Sequence, residues 1–187
     1  MAAGGASRRM GRDKALLPWG ASTLLGHAVA RLRDAVGEVV ILGGAAARYE
    51  GHGAPALADL HPGQGPLGGL LTALAALGGR EAVLLLGVDV PFATVPVLRQ
   101  LVEAAHAGDD VVVPLTAEGP QPLCALYRAT CLEPVRRSLE RGDRRMTAFW
   151  AELSVRRLGR EELLPQGDPE LLFRNLNTPE EYAAHRA

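Results

Sequence analysis

Ala82-Val-Leu-Leu-Leu-Gly-Val-Asp-Val-Pro91 is the stretch that decides the fold. An unbroken apolar run of strand length, closed by a glycine, predicts a strand buried on both faces, as the strands of parallel sheets are. Asp89 stands just past its carboxyl end, where open α/β sheets place their ligands, and Pro91 stops the strand. A carboxylate at that point suits a Mg²⁺ ion that bridges phosphates. The plainer alternative is an aspartate that caps the loop or helix that follows.

On both sides of this run, strand and helix patterns alternate. Upstream, Ser22 can cap a helix over 23–35, followed by a short apolar strand over 38–43 and another over 55–58 that ends at Asp59. The Gly-rich turn HPGQGPLGG (61–69) then leads into an apolar helix over 67–77. Downstream, a helix over 94–106 precedes the strand DVVVPL (110–115). A strand over 123–127, a helix over 130–140, a strand over 153–158 and a final helix in EEYAAH complete the pattern. Such alternation predicts a single α/β domain over residues 1–187, Rossmann-like and three-layered, with a mostly parallel twisted sheet.

Composition narrows the class of protein. With 187 residues, 48% hydrophobic and 22% charged, the chain is long and apolar enough to bury a core. The formal net charge of -1 builds no broad basic field, so no nucleic-acid partner is expected. No apolar run approaches the roughly 20 residues of a membrane helix, so no membrane partner is expected either. The N-terminus carries charges with no apolar segment after them, and the expected location is cytoplasmic. Cys124 and Cys131 lack metal-site spacing, and the five histidines share none with Cys or Glu. Of the 20 basic residues, Lys14 is the one lysine. In a chain that uses arginine everywhere else, a lone lysine marks either a place where a compact ammonium is needed or an accident of codon usage.

Three further constellations carry chemistry. Gly4-Gly5-Ala6-Ser7-Arg8-Arg9-Met10-Gly11-Arg12-Asp13-Lys14 puts backbone N–H groups and cationic side chains where a polyphosphate could sit, although it matches neither common phosphate loop; a solvated basic loop is the alternative. Gly63-Gln64-Gly65-Pro66-Leu67-Gly68-Gly69 can bring backbone against a flat base or ribose at a helix start, or can serve only helix–sheet packing. Asp59 is able to accept from guanine N1–H and N2–H, or to be a turn residue. In Asn175-Leu176-Asn177-Thr178-Pro179, an Asn can meet a ligand or complete a metal shell, and Asn177 can equally cap the helix that begins near Pro179.

AGGASRRMGRDKALLPW, Asp59, GPLGGL (65–70), VDVP (88–91), QPLCALYR (121–128) and NLNTPEEY (175–182) occur in the order found in molybdenum cofactor guanylyltransferases, and the chain resembles that family over nearly its whole length. The resemblance implies a Rossmann-like domain that binds GTP with Mg²⁺. It transfers GMP to the phosphate of molybdenum-molybdopterin and releases pyrophosphate. By position, Ala2, Ala3, Gly4 and Gly5 line the nucleotide, and Arg9 and Lys14 hold its phosphates. Asp59 and Gly65 contact guanosine, and Asp89 is the metal ligand. Asn175 and Asn177 lie on the molybdopterin side or complete the metal shell, with Gln121 a further acceptor contact and Arg144 or Arg145 weaker ones. Mg²⁺ on Asp89, with Lys14, then neutralises two anionic reactants and the leaving pyrophosphate, without a covalent intermediate. Proteins that insert or deliver the molybdenum cofactor are possible partners. A cytidylyltransferase or other nucleotidyltransferase of the same fold, and a non-catalytic nucleotide-binding homologue, are the competing readings.

Two features depart from the family. Relatives usually carry an apolar strand before the A-G-G, whereas only Met1 and Ala2 precede it here, so either the true start lies upstream or the chain is truncated. Relatives also often carry Asn after the second strand, where this chain has Leu42-Gly43-Gly44.

Overall fold

The computed structural model describes residues 13–43 and 46–185. Ala2, Ala3, Gly4, Gly5 and Arg9 lie outside the described residues.

A mixed sheet is built around β5 (Ala82–Leu86), β6 (Val111–Thr116), β8 (Cys124–Arg128) and β9 (Val155–Leu158), with the short β7 (Gly119–Pro120) folded back on the end of β6. Side chains alternate across it as the double-sided burial of β5 requires. Leu84 and Leu86 of β5, Val112 of β6, and Cys124 and Leu126 of β8 share one core with Leu25, Val29 and Leu32 of α1 (Leu24–Val36) and Val97, Leu98 and Leu101 of α3 (Val95–Glu103). Leu85, Val111, Val113, Ala125 and Tyr127 face the other way. They pack with Leu67, Leu70, Leu71 and Leu74 of α2 (Gly65–Ala75) and Val135 of α4 (Leu132–Glu140). The result is three layers, helix on sheet on helix.

The expectation of a mostly parallel sheet is corrected. β8 runs antiparallel to both β5 and β6, while β9 runs parallel to β6. The reason is the length of the return path. Parallel neighbours need a crossover of a dozen or more residues, and β8 begins only a few residues after the β6–β7 hairpin. The chain therefore comes straight back.

A second, two-stranded parallel sheet joins β3 (Ile41–Leu42) to β4 (Ala56–Leu57). Among the described residues, β3 pairs only with β4, and β5 only with β8. A cavity of about 580 Å³ lies among the two sheets and the helices, lined by Val39, Leu42 and Leu57 on one side and Val83 and Leu84 on the other.

The helices start where local chemistry allows. Thr23, rather than the expected Ser22, caps α1 by accepting from Gly26 N (3.1 Å), and Gly37, at φ 83, ends it. Thr94 caps α3 in the same way, accepting from Val97 N (3.4 Å), with Pro96 in its first turn. Near the N-terminus, β1 (Pro18–Trp19) and β2 (Ser22–Thr23) form a small hairpin over Gly20. The C-terminal part adds the short helices α5 (Arg160–Leu163) and α6 (Pro169–Leu172), then α7 (Pro179–His185). No helix among the described residues is long and apolar enough to cross a membrane. Cys124 and Cys131 are both buried free thiols.

Candidate active site

Three segments far apart in sequence meet at one place. The first is the 3-10 turn Lys14–Leu16, the second the loop after β5 that carries Asp89, and the third the turn before α7 that carries Asn175 and Asn177. Leu176 N donates to Asp89 O (2.9 Å), which joins the second to the third. The Tyr182 hydroxyl of α7 donates to Pro18 O, which joins the third to the first. The Trp19 ring packs against Phe92 at 5.7 Å and Tyr182 at 6.3 Å, so one aromatic side chain bridges the loop after β5 and α7. His27 Nε2 lies 3.0 Å from Pro91 O and Arg31 Nη1 donates to the same oxygen (2.9 Å), tying the Asp89 loop down to α1.

Lys14 is buried, at 9% exposure. Its turn is set by Asp13, whose Oδ1 accepts from Ala15 N (3.1 Å). The other carboxylate oxygen, Oδ2, accepts from the Tyr49 hydroxyl (3.0 Å) and Arg48 Nη1 (3.2 Å). Asp13, which the sequence reading placed in the Gly-rich constellation without a role of its own, thus sets the Lys14 turn. Burial lowers the Lys14 ammonium's pKa below the ordinary lysine value, and the charges of Asp89 and Glu181 work against that shift. Burial raises the Asp89 carboxyl above the ordinary aspartate range, and Lys14 opposes it. The two side chains therefore lie within each other's field, as expected of a cation and a carboxylate that serve the same phosphates.

Asp89 folds back over Gly87. A Cβ added at Gly87 would stand 2.3 Å from Asp89 Oδ1 and 3.3 Å from Leu123 Cβ. The missing side chain makes room for the carboxylate. Hard cations take oxygen ligands, and Asp89 offers carboxylate oxygens at this place. Among the described residues no group of three or more His, Cys, Asp or Glu could hold a metal ion. These donors fit a cation shared with phosphate oxygens and water, not one enclosed by protein.

Asn175, Asn177 and Gln121 line one polar cavity of about 410 Å³, together with Glu118, Glu170 and Glu181. Gln121 is fixed by its amide, which donates to Thr116 Oγ1 (2.9 Å) and Gly119 O (3.3 Å). The three expected acceptor residues are thus brought together. Arg144 and Arg145 do not line this cavity; Arg145 is spent on Asp143, with Nη2 donating at 2.6 Å. The capping alternative for Asn177 is replaced by Thr178, whose Oγ1 accepts from Glu181 N (3.2 Å), while Glu181 takes the N–H groups of Asn177 and Thr178 just before α7.

Asp59 and Gly65 occupy the turn between β4 and α2. Thr72 pins this turn, accepting from Leu60 N (3.0 Å) and donating to Gly68 O (3.0 Å). Gly65, at φ 67, has a backbone that side chains rarely adopt. Asp59 Oδ1 and Gln64 Oε1 are both buried acceptors without a partner. Burial raises the Asp59 pKa above the ordinary value. Two unmet acceptors on one fixed turn suit a donor-bearing base edge.

A three-layer α/β domain with a buried lysine and an aspartate beyond the carboxyl end of β5 fits a nucleotide-handling transferase by class. Residues 2–157 match the family model for the MobA-like NTP transferase domain, and the chain belongs to that family. It is similar to the probable molybdenum cofactor guanylyltransferase of Pelotomaculum thermopropionicum, with 33% identity over 98% of this chain and 89% of that protein. A probable molybdenum cofactor guanylyltransferase of Opitutus terrae shares 38% identity over 96% of this chain and 89% of its own length. Among solved structures, molybdopterin-guanine dinucleotide biosynthesis protein A from Archaeoglobus fulgidus superposes with a TM-score of 0.81 at 26% identity, covering 98% of this chain and 93% of that one.

Proposed function

We propose that this chain is a molybdenum cofactor guanylyltransferase that transfers GMP from GTP to the phosphate of molybdenum-molybdopterin and releases pyrophosphate. The observation that carries this reading is the single bond from Leu176 N to Asp89 O. It sets the acceptor-side asparagines beside the carboxylate and lysine that would serve the nucleotide phosphates. Relatives named for this activity over nearly the whole chain support the choice of donor and acceptor.

In this reaction an oxygen of the pterin phosphate attacks the α-phosphorus of GTP, and the bond to the β-phosphate oxygen breaks. Both partners are anions, so catalysis is mainly charge neutralisation and alignment. Lys14 places a fixed ammonium at the triphosphate, in a buried setting where its field is weakly screened. Asp89 is the group that would hold Mg²⁺. Such an ion supplies positive charge to the reacting phosphates and the leaving pyrophosphate. Asp59 and the turn at Gly65 would read guanosine. Gln121, Asn175 and Asn177 would hold the pterin end. A cytoplasmic setting and hand-over partners for the cofactor belong to the same reading.

The test is pyrophosphate release with each NTP, with and without molybdopterin. Release with GTP only when molybdopterin is present is the expected result. Release with CTP instead would assign the base pocket to cytidine. Nucleotide binding without release of pyrophosphate by any pair would make the chain a binding homologue.

A further inference from the structure

Glu181 belongs to none of the residues assigned above to nucleotide, metal or acceptor, yet it is tied to the acceptor-side turn. Its Oε2 accepts from Asn177 N (2.6 Å) and Thr178 N (3.0 Å). Thr178 answers by accepting from Glu181 N through Oγ1 (3.2 Å). The stretch bearing the two asparagines is therefore pinned at its middle by Asp89 O at Leu176 and at its C-terminal end by Glu181 at Asn177–Thr178. Glu181 also lines the same cavity as Asn175, Asn177 and Gln121. Removing its carboxylate would leave two N–H groups without a protein partner and free one end of the turn. Side chains that orient a reactant tolerate little displacement: about 1 Å can cost ~10²-fold in rate.

We propose that Glu181 is a positioning residue for the acceptor. By gathering both N–H groups onto one carboxylate oxygen, it holds Asn175 and Asn177 at the cavity next to the Asp89 loop. The proposal rests on the guanylyl-transfer reading, and it concerns hydrogen bonding rather than charge. A neutral side chain with the same carbonyl oxygen can accept the same two bonds.

The test compares wild type, Glu181→Gln, Glu181→Met and Thr178→Val in steady-state transfer from Mg-GTP to molybdopterin, with thermal melts alongside. Glu181→Met, similar in size but without an acceptor oxygen, should raise the KM for molybdopterin about tenfold or more and leave the KM for GTP within about twofold. Glu181→Gln should stay close to wild type. Thr178→Val loses the return bond, which weakens α7, but keeps both N–H bonds to the carboxylate; its acceptor KM should not move. A wild-type acceptor KM in Glu181→Met overturns the proposal. So does a Gln variant as impaired as the Met one, or a Thr178→Val enzyme that shows the same rise in acceptor KM. Hydrogen exchange reads the turn without turnover: the Asn177 and Thr178 amides should be protected in wild type and Glu181→Gln and exposed in Glu181→Met. Equal protection in all three overturns the proposal whatever the activity, whereas an absence of GMP transfer by wild type overturns only the functional reading.

Discussion

Lys14 and Asp89 each carry a charge that burial disfavours, and each is the other's main compensation. Changing one therefore alters the other. Asp89→Asn removes the carboxylate but keeps the Leu176 N to Asp89 O bond, which is made by main chain. The fold and the asparagine turn should survive while an amide serves a hard cation poorly. We expect kcat to fall at least ~10²-fold, about 2.7 kcal/mol of barrier, with little change in melting temperature. Turnover equal to wild type would remove Asp89 from the metal. Lys14→Arg keeps the charge and enlarges the head group in a place only 9% exposed. A planar fork cannot take the place of a compact ammonium there. Loss of about tenfold or more in kcat/KM for GTP is the expected outcome, a little over 1.4 kcal/mol. Full activity would make the lone lysine an accident of composition.

At the scale of elements, what was legible in the sequence followed from periodicity and from caps. The β5 run, α1, α2 and α3 could be placed because their apolar patterns are long, while the cap of α1 proved one residue off, at Thr23 rather than Ser22. The direction of β8 was not legible from its own residues, since CALYR reads the same whichever way it runs; only the short return from β7 decides it. The three acceptor residues could be proposed from their motifs, but their sharing one cavity depends on contacts across more than fifty residues. Glu181 was legible in principle. Thr178-Pro-Glu-Glu181 has the T-x-x-E spacing of a capping box, and the hydrogen bonds follow that pattern. Gly87 was visible as a strand terminator but not as a cradle, because the fold of Asp89 over it is a matter of side-chain direction. That cradle makes a prediction. Gly87→Ala would bring a Cβ within 2.3 Å of Asp89 Oδ1, so the carboxylate must move while β5 remains buried around it. Circular dichroism should be unchanged and kcat should drop about tenfold or more, since misplaced groups lose rate before they lose fold. An alanine enzyme with wild-type kcat would mean that the carboxylate has no required position.

At the scale of the molecule, the two sheets meet across a cavity of about 580 Å³ whose walls are apolar on both sides. Val39, Leu42 and Leu57 face Val83 and Leu84 across it, with α1 contributing Leu32 and Val36, α2 Ala73, and the turn after it Leu77. Such a space between the edges of two sheets has the chemistry of a strand position. Filling it would bury apolar surface on both faces at about 25 cal/mol per Å² and pair backbone groups on two edges. An apolar strand added before A-G-G is expected to occupy it. Extending the protein there by about six apolar, β-branched residues, a usual strand length, should therefore raise its stability. For a domain of this size each kcal/mol gained moves the melting temperature by roughly 2–4 °C, so a rise of several degrees is expected. If Gly4 and Gly5 bind phosphate as proposed, GTP affinity should rise with it, because N–H groups stabilise an anion only when they are already aimed at it. The comparison is a thermal melt of the 187-residue chain and the extended one, each with and without Mg-GTP, together with their GTP affinities. If both forms melt at the same temperature and bind GTP equally well, the cavity between the sheets is no strand position, and the two sheets are held together by the helices that flank them.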